Sequence, residues 1–223
     1  MKNKVLKSRL IALAIVLGVS FTLQSCKKDN VSDKEAQQVE KITDATLFDV
    51  DKELSNIDWK GYKIFKSEKT SHFGTLKFSE GEIGVKDNQI VSGKFVADMH
   101  SLANTDLADN KEASEKLDGH LKSVDFFNVE KYPTATFEIT KITPKTEGDY
   151  NSTVEGNLTI KETTKSVSFN ANLSIDGEQI SLSTEPTDID RTLFGVEFQS
   201  PIENGVIKNE MTLQINLKAK LRK

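Results

Sequence analysis

Few residues in this chain of 223 are equipped for chemistry: three histidines, one cysteine and one arginine set among acids. His100 alternates with Asp98 along "ADMHSL", on the side opposite Phe95 and Met99. Two such ligands are too few to close a metal site, and theirs is the face expected to meet water. His72 stands at a strand start just ahead of Phe73 and Gly74, and His120 precedes Leu121 with Asp118 close in sequence. Both fit the rim of an opening, where they would touch a polar head group, and both fit an ordinary exposed or hydrogen-bonded histidine. Arg191 is the best single candidate for an anionic group, because its planar fork can hold phosphate. A structural ion pair with Asp188 or Asp190 accounts for it as well. No serine–histidine–acid order, phosphate loop or paired-carboxylate spacing stands out. The chain therefore reads as a non-enzyme with no catalytic residue, metal or cofactor, against the alternative of a metal-dependent hydrolase.

Cys26 is explained by what precedes it. Residues 2–9 carry Lys2, Lys4, Lys7 and Arg9, followed by the apolar run "LIALAIVLGVSFTL". That run falls short of the roughly 18–20 residues a membrane-crossing helix needs. A basic start and a short apolar middle describe a secretory signal peptide over residues 1–25. "LQSC", with Leu23 at minus three and Ser25 at minus one, resembles the bacterial lipobox. Cys26 is then the lipidated first residue of the mature protein, bearing palmitate-type acyl chains. Lys27 rather than aspartate after it favours, by resemblance to sorting in enteric bacteria, the outer membrane. The expected location is the cell envelope, lipid-anchored and facing the periplasm. With its only cysteine acylated, the mature domain has no disulfide, thiol nucleophile or cysteine–metal site. The formal charge is −4, and the leader removes four positive charges and no acids, leaving −8. An acidic domain has no electrostatic footprint for nucleic acid, nor is it drawn by charge to anionic head groups. The membrane is expected as a partner through Cys26 alone.

The elements that must position these residues follow from periodicity. Residues 26–45 hold the cysteine and a polar stretch, "KKDNVSDKEAQQVEKITD", with apolar residues too sparse for a core. This reads as a flexible tether spanning on the order of 25 Å, with a short helix around Asp33 to Lys41 as a variant. From residue 46 to 223 the pattern turns to period two. "TLKFSE" puts Leu76 and Phe78 on one side, and "GKFVADM" does so for Phe95, Ala97 and Met99. Ala135, Phe137 and Ile139 align in "TATFEIT", and Val154, Leu158 and Ile160 in "VEGNLTI". Val167, Phe169, Ala171, Leu173 and Ile175 align in "VSFNANLSI", and a last run aligns Met211, Leu213, Ile215, Leu217, Ala219 and Leu221. Turn residues "EGD" at 147–149 and "DGE" at 176–178 separate strands. One segment departs from this: Ala113, Leu117, Leu121 and Val124 share a helical face. The expected fold is all-β, one antiparallel sandwich or barrel with one inserted α-helix.

Whether the interior is filled or hollow stays open at this level. Gly74, Gly93, Ala97, Ala135, Gly156, Ala171 and Ala219 all fall on apolar strand faces. Small residues alternating with large ones fill a tapering core, and they equally leave a lumen for an apolar ligand. Phe126 and Phe127 follow the helix. Neighbours in an extended chain point to opposite sides, so one ring is expected in the wall and the other over the mouth.

Several segments are similar to one family and occur in its order: "DWKG" at 58–61, "SHFGTLKF" at 71–78, "ADMHSL" at 97–102, "GHLKSVDFFNVEKYPTATFEI" at 119–139, "VEGNLTIKETTKSV" at 154–167 and "RTLFGVEF" at 191–198. The chain resembles the YceI-like family of periplasmic polyisoprenoid-binding proteins. The resemblance implies a lipocalin-like barrel wrapped around a helix, holding a long isoprenoid in an apolar tunnel, with no catalysis. It makes an isoprenoid or similar lipid the expected ligand and the only bound group. The lumen residues are then Leu76, Phe78, Phe95, Ala97, Met99, Phe126, Phe127, Phe137, Leu158, Ile160, Phe169, Ala171 and Phe194. His72, whose position matches the family pattern, His120 and Arg191 form the rim. Glu162 replaces a usual hairpin glycine, Leu193 a common acid and His100 a usual small polar residue. The alternative function is a ligand-free envelope lipoprotein acting by protein–protein contact; a homodimer is open in either case.

Overall fold

The computed structural model describes residues 34–39, 43–66, 68–201 and 203–223. The signal peptide and Cys26 lie outside the described residues. Ten strands form one antiparallel sheet: β1 (Thr46–Val50), β2 (Asn56–Phe65), β3 (Glu68–Lys86), β4 (Gln89–Asn104), β5 (Thr134–Pro144), β6 (Ser152–Ile160), β7 (Thr163–Asp176), β8 (Gln179–Thr184), β9 (Thr187–Asp190) and β10 (Gly205–Leu221). Eight of them, β2 to β8 with β10, close into a ring because β10 pairs with both β2 and β8. The fold is thus the expected barrel, with the expected helix, α1 (Lys111–Lys122), between β4 and β5.

Two positions in the ring are shared. β1 occupies the gap between β10 and β3 at one end, with Phe48 opposite both Leu221 and Ile83, and β2 fills it at the other. Ser55 seals the joint, its hydroxyl donating to the Lys218 carbonyl and accepting from the Lys218 amide. On the other side of β10, short β8 pairs with Asn216–Lys220 and β9 with Glu210–Leu213. A 3-10 turn at Arg191–Phe194 then packs between β7 and β10.

The helix begins at the Asn110 cap, whose side chain accepts from the Ala113 amide at 3.1 Å. Asn104, at the end of β4, ties it down. Its side-chain amide donates to the Ser114 carbonyl, the Ser114 hydroxyl and Asp118 at 3.0, 3.0 and 2.7 Å. Val124, expected on the helix's apolar face, lies past its end and is 74% exposed. Residues 34–39 form no helix. They lie against the wall instead: Gln37 exchanges two hydrogen bonds with the Asn157 side chain, at 2.8 Å each, and the Ser166 amide donates to the Lys34 carbonyl.

Candidate functional site

Filled and hollow interiors both occur, at opposite ends of the barrel. Around β1 the interior is solid, with Phe48, Val50, Ile83, Val85, Ile180 and Ala219 buried together. Toward the other end lies a cavity of about 810 Å³. It reaches the surface, because its lining includes the exposed residues Lys116, Asp125, Lys208 and Glu210.

The cavity wall is built strand by strand from alternate residues. β2 contributes Ile57, Trp59, Gly61 and Lys63; β3 contributes His72, Leu76 and Phe78; β4 contributes Phe95, Ala97, Met99 and Leu102. Across the ring stand Ala135, Phe137 and Ile139, then Val154, Leu158, Ile160 and Phe169. β10 adds Met211, Leu213, Ile215 and Leu217. Four rings form a continuous aromatic path: Phe78 edge-on to Phe95 at 6.3 Å, Phe95 stacked on Phe137 at 6.4 Å, and Phe137 edge-on to Phe169 at 5.7 Å. From α1 and the turn after it come Leu117, His120, Leu121, Phe126 and Phe127.

Eleven of the thirteen residues expected in the lumen line this cavity. Ala171 and Phe194 do not; both are fully buried in solid core. Ala171 sits opposite Ser152 and Thr184, toward the filled end, and Phe194 packs in the 3-10 turn. Of the seven small residues expected on apolar faces, Ala97 and Ala135 line the cavity. Gly74 is small because a Cβ there would lie 1.9 Å from the Ala103 carbonyl oxygen, and at Gly156 one would lie 2.4 Å from the Phe137 ring. These glycines permit close packing rather than opening a lumen. Phe126 and Phe127 also depart from expectation. Their segment is a turn, not a strand, so both rings reach the cavity, 5.9 Å apart.

All three rim candidates line the cavity. Arg191, however, is 3% exposed and its guanidinium is engaged by backbone. It donates to the carbonyls of Lys208, at 3.2 Å, of Val196, and of Phe198, at 2.9 Å. Neither an anion site nor an ion pair with Asp188 or Asp190 describes it: Arg191 clamps the 3-10 turn and the 196–198 segment to β10. Burial pushes its guanidinium down from the ordinary value, opposed by the Asp190 carboxylate. His120 lies edge-on to Phe126 at 5.3 Å and to Phe198 at 4.6 Å, forming an aromatic cluster by the opening. His72 Nδ1 is 2.7 Å from Asp106 Oδ2, while Asp106 Oδ1 accepts the Phe73 amide at 3.1 Å. His100 is exposed, as expected, its amide donating to Asp98 at 2.9 Å. Among the described residues no cluster of three or more metal-ligating side chains occurs.

Sequence reading missed the contribution of β2, Trp59 above all. Its indole donates to the Ala103 carbonyl at 3.3 Å and its ring lines the wall. The signal was the alternation of Ile57, Trp59 and Gly61, obscured by a glycine and flanking lysines.

Comparison with known proteins agrees with this architecture. The YceI-like domain model matches residues 48–219. Protein YceI of Salmonella arizonae is 32% identical over 128 residues, covering 55% of this chain and 62% of that protein. The match thus spans less than two thirds of the curated relative. BcnA of Burkholderia cenocepacia superposes with a TM-score of 0.57 at 20% identity, over 77% of this chain and 100% of the other. A polyisoprenoid binding domain from Saccharophagus degradans superposes at 0.54 and 13% identity, over 78% and 98%.

Proposed function

This chain belongs to the YceI-like domain family, and we propose from that premise that it holds a long apolar isoprenoid-type lipid in its barrel, as a carrier or buffer. The observation that carries the reading is the cavity of about 810 Å³, walled by aliphatic and aromatic side chains and open at one end. Its volume lies in the range of small-molecule sites. At about 30 Å³ per water-sized group it has room for on the order of 25 carbons, or about five prenyl units. The polyisoprenoid binding named for the S. degradans structure supports the choice of ligand.

Burying a tail is worth roughly 0.8 kcal/mol per CH₂ removed from water. An isoprenoid, however, resides in a bilayer that is equally apolar, so the transfer from lipid to barrel is close to balanced. That balance suits reversible loading and release. Organic extraction of the purified chain followed by mass spectrometry is expected to yield an isoprenoid. Protein that is ligand-free and also fails to take up a fluorescent isoprenoid would overturn the reading.

A further inference from the structure

The polar end of the cavity contains a notch that no general affinity for apolar tails requires. The β2–β3 register pairs Gly61 with His72, Trp59 with Gly74 one step deeper and Lys63 with Thr70 one step outward. Gly61 and His72 both line the cavity. A Cβ placed on Gly61 meets no atom within 4 Å, so the space before this pair is open. It differs in this from Gly74 and Gly156, whose Cβ positions are already occupied.

The histidine across from that space is held in one orientation. Asp106 binds its Nδ1 at 2.7 Å and is itself fixed by the Phe73 amide. Burial works to raise the Asp106 carboxyl, but the hydrogen bonds from His72 and Phe73 outweigh it and hold the group below its ordinary value. An ionised carboxylate only accepts, so Nδ1 carries the proton. In the neutral ring Nε2 is then the acceptor, and it has no hydrogen-bond partner among the described residues.

We propose that Gly61 and His72 form a head-group notch that selects isoprenoids ending in a hydroxyl, a prenol or a prenylated phenol, whose O–H donates to His72 Nε2. The inference rests on the lumen reading and adds to it the chemistry of the head. To the neutral ring a prenyl phosphate offers no such bond, because its ionised oxygens only accept.

Geranylgeraniol, its methyl ether and its monophosphate, titrated into the purified chain, test this. The alcohol is expected to bind about fivefold more tightly than the ether, the factor one net hydrogen bond supplies, with the phosphate no tighter than the ether. His72→Leu is expected to abolish the preference for the alcohol over the ether. Gly61→Val, whose Cβ would meet no atom within 4 Å, is expected to abolish it with the melting temperature preserved. Equal binding of alcohol and ether, a preference that survives His72→Leu, or tightest binding of the phosphate would overturn the notch and leave the lumen reading standing. Failure of all three probes to bind would overturn both.

Discussion

Ala97 and Ala171 are equivalent in sequence, each a small residue between larger apolar ones on a strand face. Their surroundings separate them. Ala97 lines the cavity, whereas Ala171 is 0% exposed in solid core. Ala97→Trp is expected to fill the lumen and abolish uptake of a fluorescent isoprenoid at nearly unchanged thermal stability. Ala171→Trp has no space to enter and is expected to cost at least about 1–3 kcal/mol, read as a lowered midpoint in chemical denaturation. Composition could not separate the two, because size reports nothing about whether a neighbour already fills the gap. The same limit applied to Arg191. Its partners are three backbone carbonyls, and every residue has one, so no pattern of side chains announces the clamp. His72 was legible as a rim residue, but Asp106, 34 positions away, was not legible as its partner.

At the level of elements, strands with clean alternation were readable from sequence, since one face of each is apolar. Strand β2 was not, because its inward column runs Ile57, Trp59, Gly61, Lys63 from depth to opening. The change from greasy to polar that suits a cavity mouth erases the periodicity by which a strand is recognised. The helix was legible from its apolar spacing, and its end was misplaced at Val124 because the turn that follows continues the same spacing. α1 is tied to β4 by the buried side chain of Asn104, with bonds to Ser114 and Asp118, while Leu121 packs on the core. Asn104→Ala is expected to speed amide hydrogen exchange across 111–122 by at least tenfold, about 1.4 kcal/mol of local opening, with exchange in β6 and β7 unchanged. Exchange that accelerates equally throughout the barrel would mean that Asn104 supports the whole fold. The hairpin at Lys161–Glu162 dispenses with glycine by placing Lys161 at φ 55° and bridging Glu162 to Lys131 at 3.2 Å.

For the whole molecule, the barrel was legible through the family resemblance, but its division into a packed end and a hollow end could not be read from one chain's pattern. Depth along the axis depends on register, and register depends on bulges such as that between Ile207 and Met211. The proposed anchor belongs to this scale. Cys26→Ser is expected to move the protein from the membrane fraction to the soluble periplasmic extract, with its melting temperature unchanged; retention in the membrane fraction would refute acyl anchoring. If the anchor holds, the contact of residues 34–39 with Asn157 and Ser166 sets the leash. Only seven residues, 27–33, then lie between the acylated cysteine and the point where the chain grips the wall, and fully stretched they reach at most about 28 Å. If the proposed lipid binding holds as well, a barrel on so short a line would trade only with its home leaflet, and a lipid bound for the facing membrane would have to be handed to a second, freely diffusing shuttle.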